Sequence, residues 1–381
     1  MNHVLEPRSV TVNAAMSNSF GFGGSDAVVV LARPDHFVSP PAAPARKVVM
    51  TGAGTFGPLG VGKRHQAMAY FQAGPPCPPA PLPFEAKAYL DVGRARRIDR
   101  AGRLAAVVMA QALADANAHQ PVEPGRAGCI MGAAFGAVDA CAEFVHRIHV
   151  KGARFAKPAV FPNLLPSSPG AHASIYLGLR GAVFAGADLA ASVSSALVMA
   201  AELIAAGEAD SMLAGGVEVH SAIAEAVLQP LLSAQDGAQR GEGAAAILLE
   251  AATTAHARGA EVIAEVRWFM GWRGAAAGPL AGAPAPGPHA QVLLVRDDDK
   301  LAAALAATAW KDVPRYTCVA RSGAHEAAGG TVAAAALGRL AAGVCGEVLL
   351  LGLAADRGYA LVLSLGEAQR SGRKGQTKAA P

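Results

Sequence analysis

Apolar and polar positions alternate in blocks set off by glycine. The arrangement is clearest at 181–216, GAVFAGADLAASVSSALVMAAELIAAGEADSMLAGG. The apolar run Val183–Ala187 predicts a strand and the polar break at Asp188 a sharp elbow. Apolar positions at helical spacing then predict a helix ending near Gly207, and a second strand closes at Gly215-Gly216. Elsewhere the same patterns predict strands at Ala27–Leu31, Lys47–Thr51, Arg126–Gly132, Gly243–Glu250, Glu261–Val266, Tyr316–Ala320, Glu347–Leu353 and Tyr359–Leu365. Helices are predicted at about Arg103–Ala118, Gly170–Gly178, His220–Leu232, Thr253–Gly259, Lys300–Ala309 and Val332–Ala342. Gly52–Gly60 reads as a turn, Gly132–Gly136 as a Gly-rich loop, and Gly274–Pro288 as a low-complexity loop. The Pro-rich Arg33–Arg46 reads as an extended linker. Alternating strands and helices of this length predict α/β layers. The order β-α-β-α-β-β occurs twice, roughly in 47–267 and 290–366, with too little identity to establish a repeat from sequence.

Composition narrows the classes. The 381 residues are 52% hydrophobic and 16% charged, which fits a well-buried α/β protein. A net charge of +4 gives no case for nucleic acid. No apolar run of membrane-spanning length is free of charge; the nearest, Gly181–Gly207, is broken by Asp188 and Glu202. Cys77, Cys129, Cys141, Cys318 and Cys345 are odd in number and form no CxxC pair. A reduced, cytoplasmic protein without disulfides or a thiolate zinc site is the expectation.

The elbow is the main candidate for chemistry. A residue at the N-terminus of a helix sits where free N–H groups and the macrodipole stabilise an anion. A cysteine placed there becomes a thiolate nucleophile. Other signals are weaker. Gly52-x-Gly54-x-x-Gly57 matches the dinucleotide fingerprint, but Pro58-Leu59-Gly60 interrupts the helix start. His146 and His149 are three apart with no third ligand. Ser192, Ser194 and Ser195 lie near the elbow without Gly-x-Ser-x-Gly or a placed base. Glu242 reads as structural, Phe135 as cavity-lining or core, and Arg94, Arg96, Arg97, Arg100 and Arg103 as a solvated basic face or a patch for an acidic partner.

The stretch around the elbow resembles the nucleophile region of the β-ketoacyl synthases. Their pattern reads Gly-Pro, six residues, Ala-Cys-x-Ser, a helix, Gly-x-Ala-Asp and Ala-Gly-Gly-x-Glu. Gly181, Gly207, Ala209-Asp210, Ala214-Gly215-Gly216 and Glu218 fall in step without a gap, and the cysteine slot holds Ala190. Lys47–Gly60, Arg94–Arg100, Arg240–Glu250 and Ala255–Val266 resemble further family segments in the right order. The resemblance covers about 47–366. It implies an α/β, thiolase-like five-layer αβαβα fold with two similar halves, 47–256 and 257–366, the C-terminal half shortened, and a basic tail at 367–381.

Active synthases carry two further histidines, one in His-Gly-Thr and one in Gly-His after a lysine. Ungapped alignment of Val319–Gly330 sets Ser322 in the first slot and leaves the second motif without a counterpart. A displaced register sets His325 in the Gly-His slot; the first register is favoured. The gate loop, Gly-Phe-Gly-Gly in the family, reads Gly352-Leu353-Ala354-Ala355. Changes at nucleophile, histidine and gate make the chain similar to the chain-length factors. The resemblance then implies a non-condensing subunit of fatty-acid or type II polyketide assembly, aryl polyenes included. Its partners would be an active ketosynthase, as a heterodimer or alternatively a homodimer, and an acyl carrier protein. It would have no cofactor of its own, the acyl groups riding on the carrier's phosphopantetheine. The alternatives are a divergent synthase, a malonyl-thioester decarboxylase using His325, and a structural remnant.

Residues 1–33 stand apart. SNSFGFGGSDAVVVLA resembles the end of an intact ketosynthase, gate loop and last strand included. It reads as the tail of an upstream ketosynthase, from a fused gene or a mispredicted start. The other readings are an added edge strand and a replacement of the altered gate by Phe20–Gly24. Residues 34–46 are then the linker.

Overall fold

The computed structural model describes residues 5–20, 27–36, 44–118, 123–235, 238–274, 280–297 and 299–366. The expected basic tail and Gly21–Asp26, with the reading that Phe20–Gly24 replaces the gate, lie outside them. Two compact units are present, 1–44 and 45–381.

The first unit is an antiparallel hairpin of β1 (Ala14–Ser19) and β2 (Ala27–Ala32), in register from Ala14↔Ala32 to Ser19↔Ala27. Every residue of both strands is exposed. The sequence reading had only β2, because AAMSNS lacks the β-branched and aromatic residues that mark a strand.

In the second unit the strands are β3 (Val48–Gly57), β4 (Gly60–Lys63), β5 (Ala127–Gly132), β6 (Val183–Gly186), β7 (Ser211–Glu218), β8 (Gly243–Ala251), β9 (Ala264–Arg273), β10 (Ala290–Leu294), β11 (Arg315–Thr317), β12 (Glu347–Ala354) and β13 (Arg357–Leu365). Their order is β11-β10-β12-β13-β9-β3-β8-β7-β5-β6, with β4 paired to β3. Numbered within each half, β3-β8-β7-β5-β6 and β9-β13-β12-β10-β11 both read 1-5-4-2-3. The senses repeat as well: first with fifth and fifth with fourth antiparallel, fourth with second and second with third parallel. The halves meet where β3 pairs β9 at Val49↔Glu265 and Met50↔Ala264. The repeat hidden in the sequence is therefore explicit in the topology. β9 opens the second half, so of the two divisions drawn from sequence the repeat count ending at 267 runs one strand too far.

Strand alternation builds three cores. Leu213, Leu248 and Ala246 face the helix Arg100–Asp115. Their neighbours Met212, Ala214, Ile247 and Leu249 face a central core holding the helices Ser192–Ala205 and Ala328–Ala342. On the other half, Val348 and Leu350 turn to the same central core while Leu349 and Leu351 meet the helix Asp299–Ala306 and Trp310. The result is five alternating layers, α-β-α-β-α. The central helices are apolar on nearly every side, as a helix enclosed by two sheets must be. Small residues let them lie close: a Cβ at Gly330 would come 2.5 Å from the Ala245 methyl.

The expected turn Gly52–Gly60 is instead mostly strand. Glycine is needed there because the helix Arg100–Asp115 crosses close above: a Cβ at Gly54 would sit 2.7 Å from Gln111 Cβ, and one at Gly52 2.8 Å from Ala116 N. The glycine spacing that imitates a dinucleotide site thus serves helix-on-strand packing. Likewise, the strand expected at Tyr316–Ala320 ends at Thr317, and Val319–Ser322 is a helical turn.

Candidate functional site

In each half the third strand feeds a central helix, β6 into Ser192–Ala205 and β11, through Val319–Ser322, toward Ala328–Ala342. The two crossovers lie across one cavity of about 360 Å³, which Ala190 and His325 both line.

The first crossover is the elbow. Leu189 takes φ +47°, in the left-handed region, at a cost of roughly 1–3 kcal/mol. Ser192 Oγ donates to the Leu189 carbonyl (2.7 Å) and accepts from Asp188 N–H (3.0 Å), which closes the turn. The Asp188 carboxylate accepts from Tyr359 Oη (2.7 Å) and from Arg357 (2.8 Å), tying the elbow to β13. Burial, and then the hydrogen bond to Asp188, raises the Tyr359 pKa. Ala190 is exposed at the cavity mouth with only a methyl group to offer. No sulfur substitutes for it: burial pushes the Cys129 and Cys318 thiols up to about 12 and Cys77 to about 11, and no cysteine lines the cavity.

At the second crossover, Gly323 (φ +78°) turns the chain so that His325 enters the cavity wall. The imidazole is 7% exposed, and its Nδ1 has no hydrogen-bond partner among the described residues. Burial, with the Arg240 charge adding, lowers its pKa to about 3, so it is neutral across the physiological range. The ring lies against the backbone of Gly243, where a Cβ would be 2.8 Å from Nε2. Ser322 is placed differently: it is buried outside the cavity lining, its Oγ donating to the Gly323 carbonyl (2.9 Å). The register favoured on sequence therefore points to a side chain beneath the site, and the displaced register to the one within it.

Beside His325 lies a polar cluster whose assembly the sequence does not reveal. Arg240 and Glu326 form a two-bonded ion pair (3.0 and 2.8 Å) in the cavity wall, and the Arg240 guanidinium stacks 5.3 Å from the Phe135 ring centroid. Glu218, at the end of β7, accepts from the N–H groups of Ala134 and Phe135 and so fixes the Gly-rich loop. Burial, with the Glu326 charge adding, pushes its carboxyl up to about 7. Glu218 and Arg240 both fall inside the family-like segments, but nothing local in the sequence joins either of them to Glu326.

The gate segment is not a loop. Gly352 pairs Tyr359, Leu353 pairs Gly358 and Ala354 pairs Arg357 within the β12–β13 ladder, and Ala355 (φ +53°) and Asp356 make a two-residue turn. Gly352 and Leu353 line the cavity; Ala354 and Ala355 do not. Gly352 packs on Ser194, which also lines it.

The remaining candidates lie elsewhere. Glu242 is a clamp, accepting from Leu82 N (2.5 Å), His220 N (3.0 Å) and Arg100 (2.5 Å). That turns Arg100 inward, and Arg103 bonds the Ala95 carbonyl, so only Arg94, Arg96 and Arg97 of the basic segment are exposed. His146 and His149 are exposed on the helix Val138–Lys151, and no metal-binding group of three or more His, Cys, Asp or Glu occurs among the described residues. No helix among them is long and apolar enough to cross a membrane.

Residues 84–255 match the β-ketoacyl synthase N-terminal domain family. A 3-oxoacyl-[acyl-carrier-protein] synthase 2 from Staphylococcus aureus is 30% identical over 202 residues, 48% of this chain and 50% of that one. Nodulation protein E from Rhizobium leguminosarum bv. trifolii is 32% identical over 188 residues, 44% and 45% of the two chains. The chain thus aligns with about half the length of these curated relatives. In fold it is similar to the ishigamide ketosynthase/chain length factor (TM-score 0.73, 18% identity). It is also similar to a type II polyketide ketosynthase solved with its acyl-carrier protein and bound to the hexaketide (0.73, 19%), and to a β-ketoacyl synthase from Burkholderia phymatum STM815 (0.70, 22%). Each comparison covers 84% of this chain and all of the other.

Proposed function

From a ketosynthase-like chain of the thiolase fold, with a β-ketoacyl synthase N-terminal domain at residues 84–255, we propose a non-condensing subunit of type II polyketide or fatty-acid assembly, aryl polyenes included. It would pair in the cytoplasm with an active ketosynthase and shape the space into which the growing acyl chain extends. The acyl groups would arrive on the phosphopantetheine of an acyl carrier protein, and the chain would hold no cofactor of its own. One observation carries this reading: the elbow that would present a nucleophile presents the methyl group of Ala190, across a cavity from His325. Covalent catalysis needs a nucleophile activated by a base, a lowered pKa or a metal, and the buried thiols are shifted the other way. The test is to offer the pure chain acyl and malonyl carrier thioesters. No β-ketoacyl product is expected; its formation would overturn the reading.

The unpartnered His325 Nδ1 favours a second reading, decarboxylation of a malonyl thioester. A neutral imidazole can donate one hydrogen bond, here to the thioester oxygen. The electron pair freed as CO2 leaves would collect on that oxygen, and a proton from water would complete the acetyl product. CO2 release by the pure chain, lost in His325→Ala, would support it; no release from the wild type would dismiss it.

A further inference from the structure

The cavity between the two crossovers has walls of two kinds. Leu197, Leu228, Leu232, Leu301, Val332 and Leu350 reach it from four helices and β12, and make much of it apolar. Arg240, Glu326 and His325 form a polar wall across from Ala190. An apolar chain alone has no use for such a wall. Polar groups placed among apolar ones in a pocket fix the orientation and identity of what binds there.

This wall is balanced in charge, yet it has bonding capacity left. Arg240 gives Glu326 two N–H groups, and among the described residues no acceptor bonds its Nε. A carboxylate has lone pairs beyond two, so Glu326 can accept more. His325 Nδ1 is buried with no partner among the described residues, on a ring 7% exposed. An orphaned polar atom in a packed wall is uncommon and calls for a bound group to complete it. That group is not ionised. Glu326 neutralises Arg240, and Arg296, the other cation on the lining, has an interaction of its own. A carboxylate or ammonium brought there would be buried without a counter-ion. A carbonyl could only accept. A hydroxyl donates once and accepts twice, which suits a wall offering both donors and acceptors. Size sets the rest: an apolar cavity of about 150 Å³ holds benzene, so one of about 360 Å³ holds roughly a dozen non-hydrogen atoms.

We propose that the cavity selects an acyl chain of about ten carbons whose far end carries a hydroxyl, held by His325, Arg240 and Glu326 while the thioester lies at the elbow. The apolar wall takes the methylenes, and the polar wall chooses among chains of equal length. This rests on the reading in which the cavity receives an acyl chain, and it competes with malonyl decarboxylation for the same His325 nitrogen. Its failure is distinct from that of the non-condensing reading: binding preference reads the polar wall, and product formation reads the elbow.

The test is isothermal titration of the full chain with N-acetylcysteamine thioesters. The ω-hydroxydecanoyl thioester should bind roughly tenfold or more tighter than the decanoyl one, because the plain chain leaves the polar wall unpaired. Arg240→Met/Glu326→Leu removes both charges of the wall together and should abolish that preference. Three results would overturn the proposal: decanoyl binding to the wild type as tightly as its hydroxylated counterpart, binding of neither thioester, or a preference that survives in the double variant. The wild-type comparison stands by itself, whether or not the double variant folds.

Discussion

Replacing Glu326 by leucine should strand a buried guanidinium. Arg240 and Glu326 are 7% and 12% exposed and share two hydrogen bonds of 3.0 and 2.8 Å. Removing one partner of such a pair costs about 3–5 kcal/mol, whereas replacing both by apolar residues is often neutral or stabilising. Glu218 offsets part of the loss. Glu326 raises its pKa and Arg240 lowers it, so without Glu326 it ionises more readily beside the stranded cation. The expected cost of Glu326→Leu is therefore near the lower bound, about 3 kcal/mol. Arg240→Met leaves a buried carboxylate beside Glu218 and should cost at least as much. The double variant should lie within about 1 kcal/mol of wild type, so the two losses cancel instead of adding, a coupling of about 5 kcal/mol between neighbours. Urea unfolding at pH 7, followed by tryptophan fluorescence, measures the cycle; Trp268, Trp272 and Trp310 all lie in the second unit. Single variants that each cost under about 1 kcal/mol and simply add would refute the reasoning.

Three further outcomes follow from the same cluster. Burial pushes the folded Glu218 carboxyl up to about 7 from an ordinary 4.5; its contribution is complete below the unfolded value and is lost as pH rises through 7. Glu218→Gln should therefore flatten stability between pH 5 and 8, with a wild-type change on the order of 3 kcal/mol measured by urea titration at several pH values. His325 has the opposite sign: its folded pKa of about 3 lies below the ordinary 6.5, so its contribution is present above 6.5 and lost on acidification. His325→Leu should reduce the fall in stability between pH 6.5 and 4, and an unchanged acid limb would contradict the neutral buried ring. Gly243→Ala would place a methyl 2.6 Å from His325 Cε1 and 2.8 Å from Nε2, and should cost about 1–3 kcal/mol in urea unfolding through overpacking. A substitution without effect would mean that the ring does not sit on that backbone.

Much of the elbow was legible because its signals are local. Apolar runs, the break at Asp188 and the glycines at 207, 215 and 216 place β6, the helix Ser192–Ala205 and β7 within a few residues. Ala190 follows by counting. What was not legible depends on contacts distant in sequence. Ser322 and His325 are only three residues apart, and an ungapped register cannot know that Gly323 turns one under the surface and the other into the cavity. β9 continues the sheet from β3 through two residue pairs, so a count of strands along the sequence runs it into the first repeat. β10 (Ala290–Leu294) is hidden behind a Gly/Pro-rich stretch that reads as loop. The glycines of β3 imitate a phosphate-binding turn, and only the crossing helix reveals why they are small. The gate segment looks like a degraded loop until the β12–β13 ladder shows it to be paired backbone.

The central claim is that the elbow has nothing with which to take up an acyl group, and intact-protein mass spectrometry tests it directly. Incubated with an acyl carrier thioester, the pure wild-type chain should gain no mass. Ala190→Cys restores a thiol at the head of the helix Ser192–Ala205 and should gain one acyl group. A covalent acyl adduct on the wild-type chain would contradict the account.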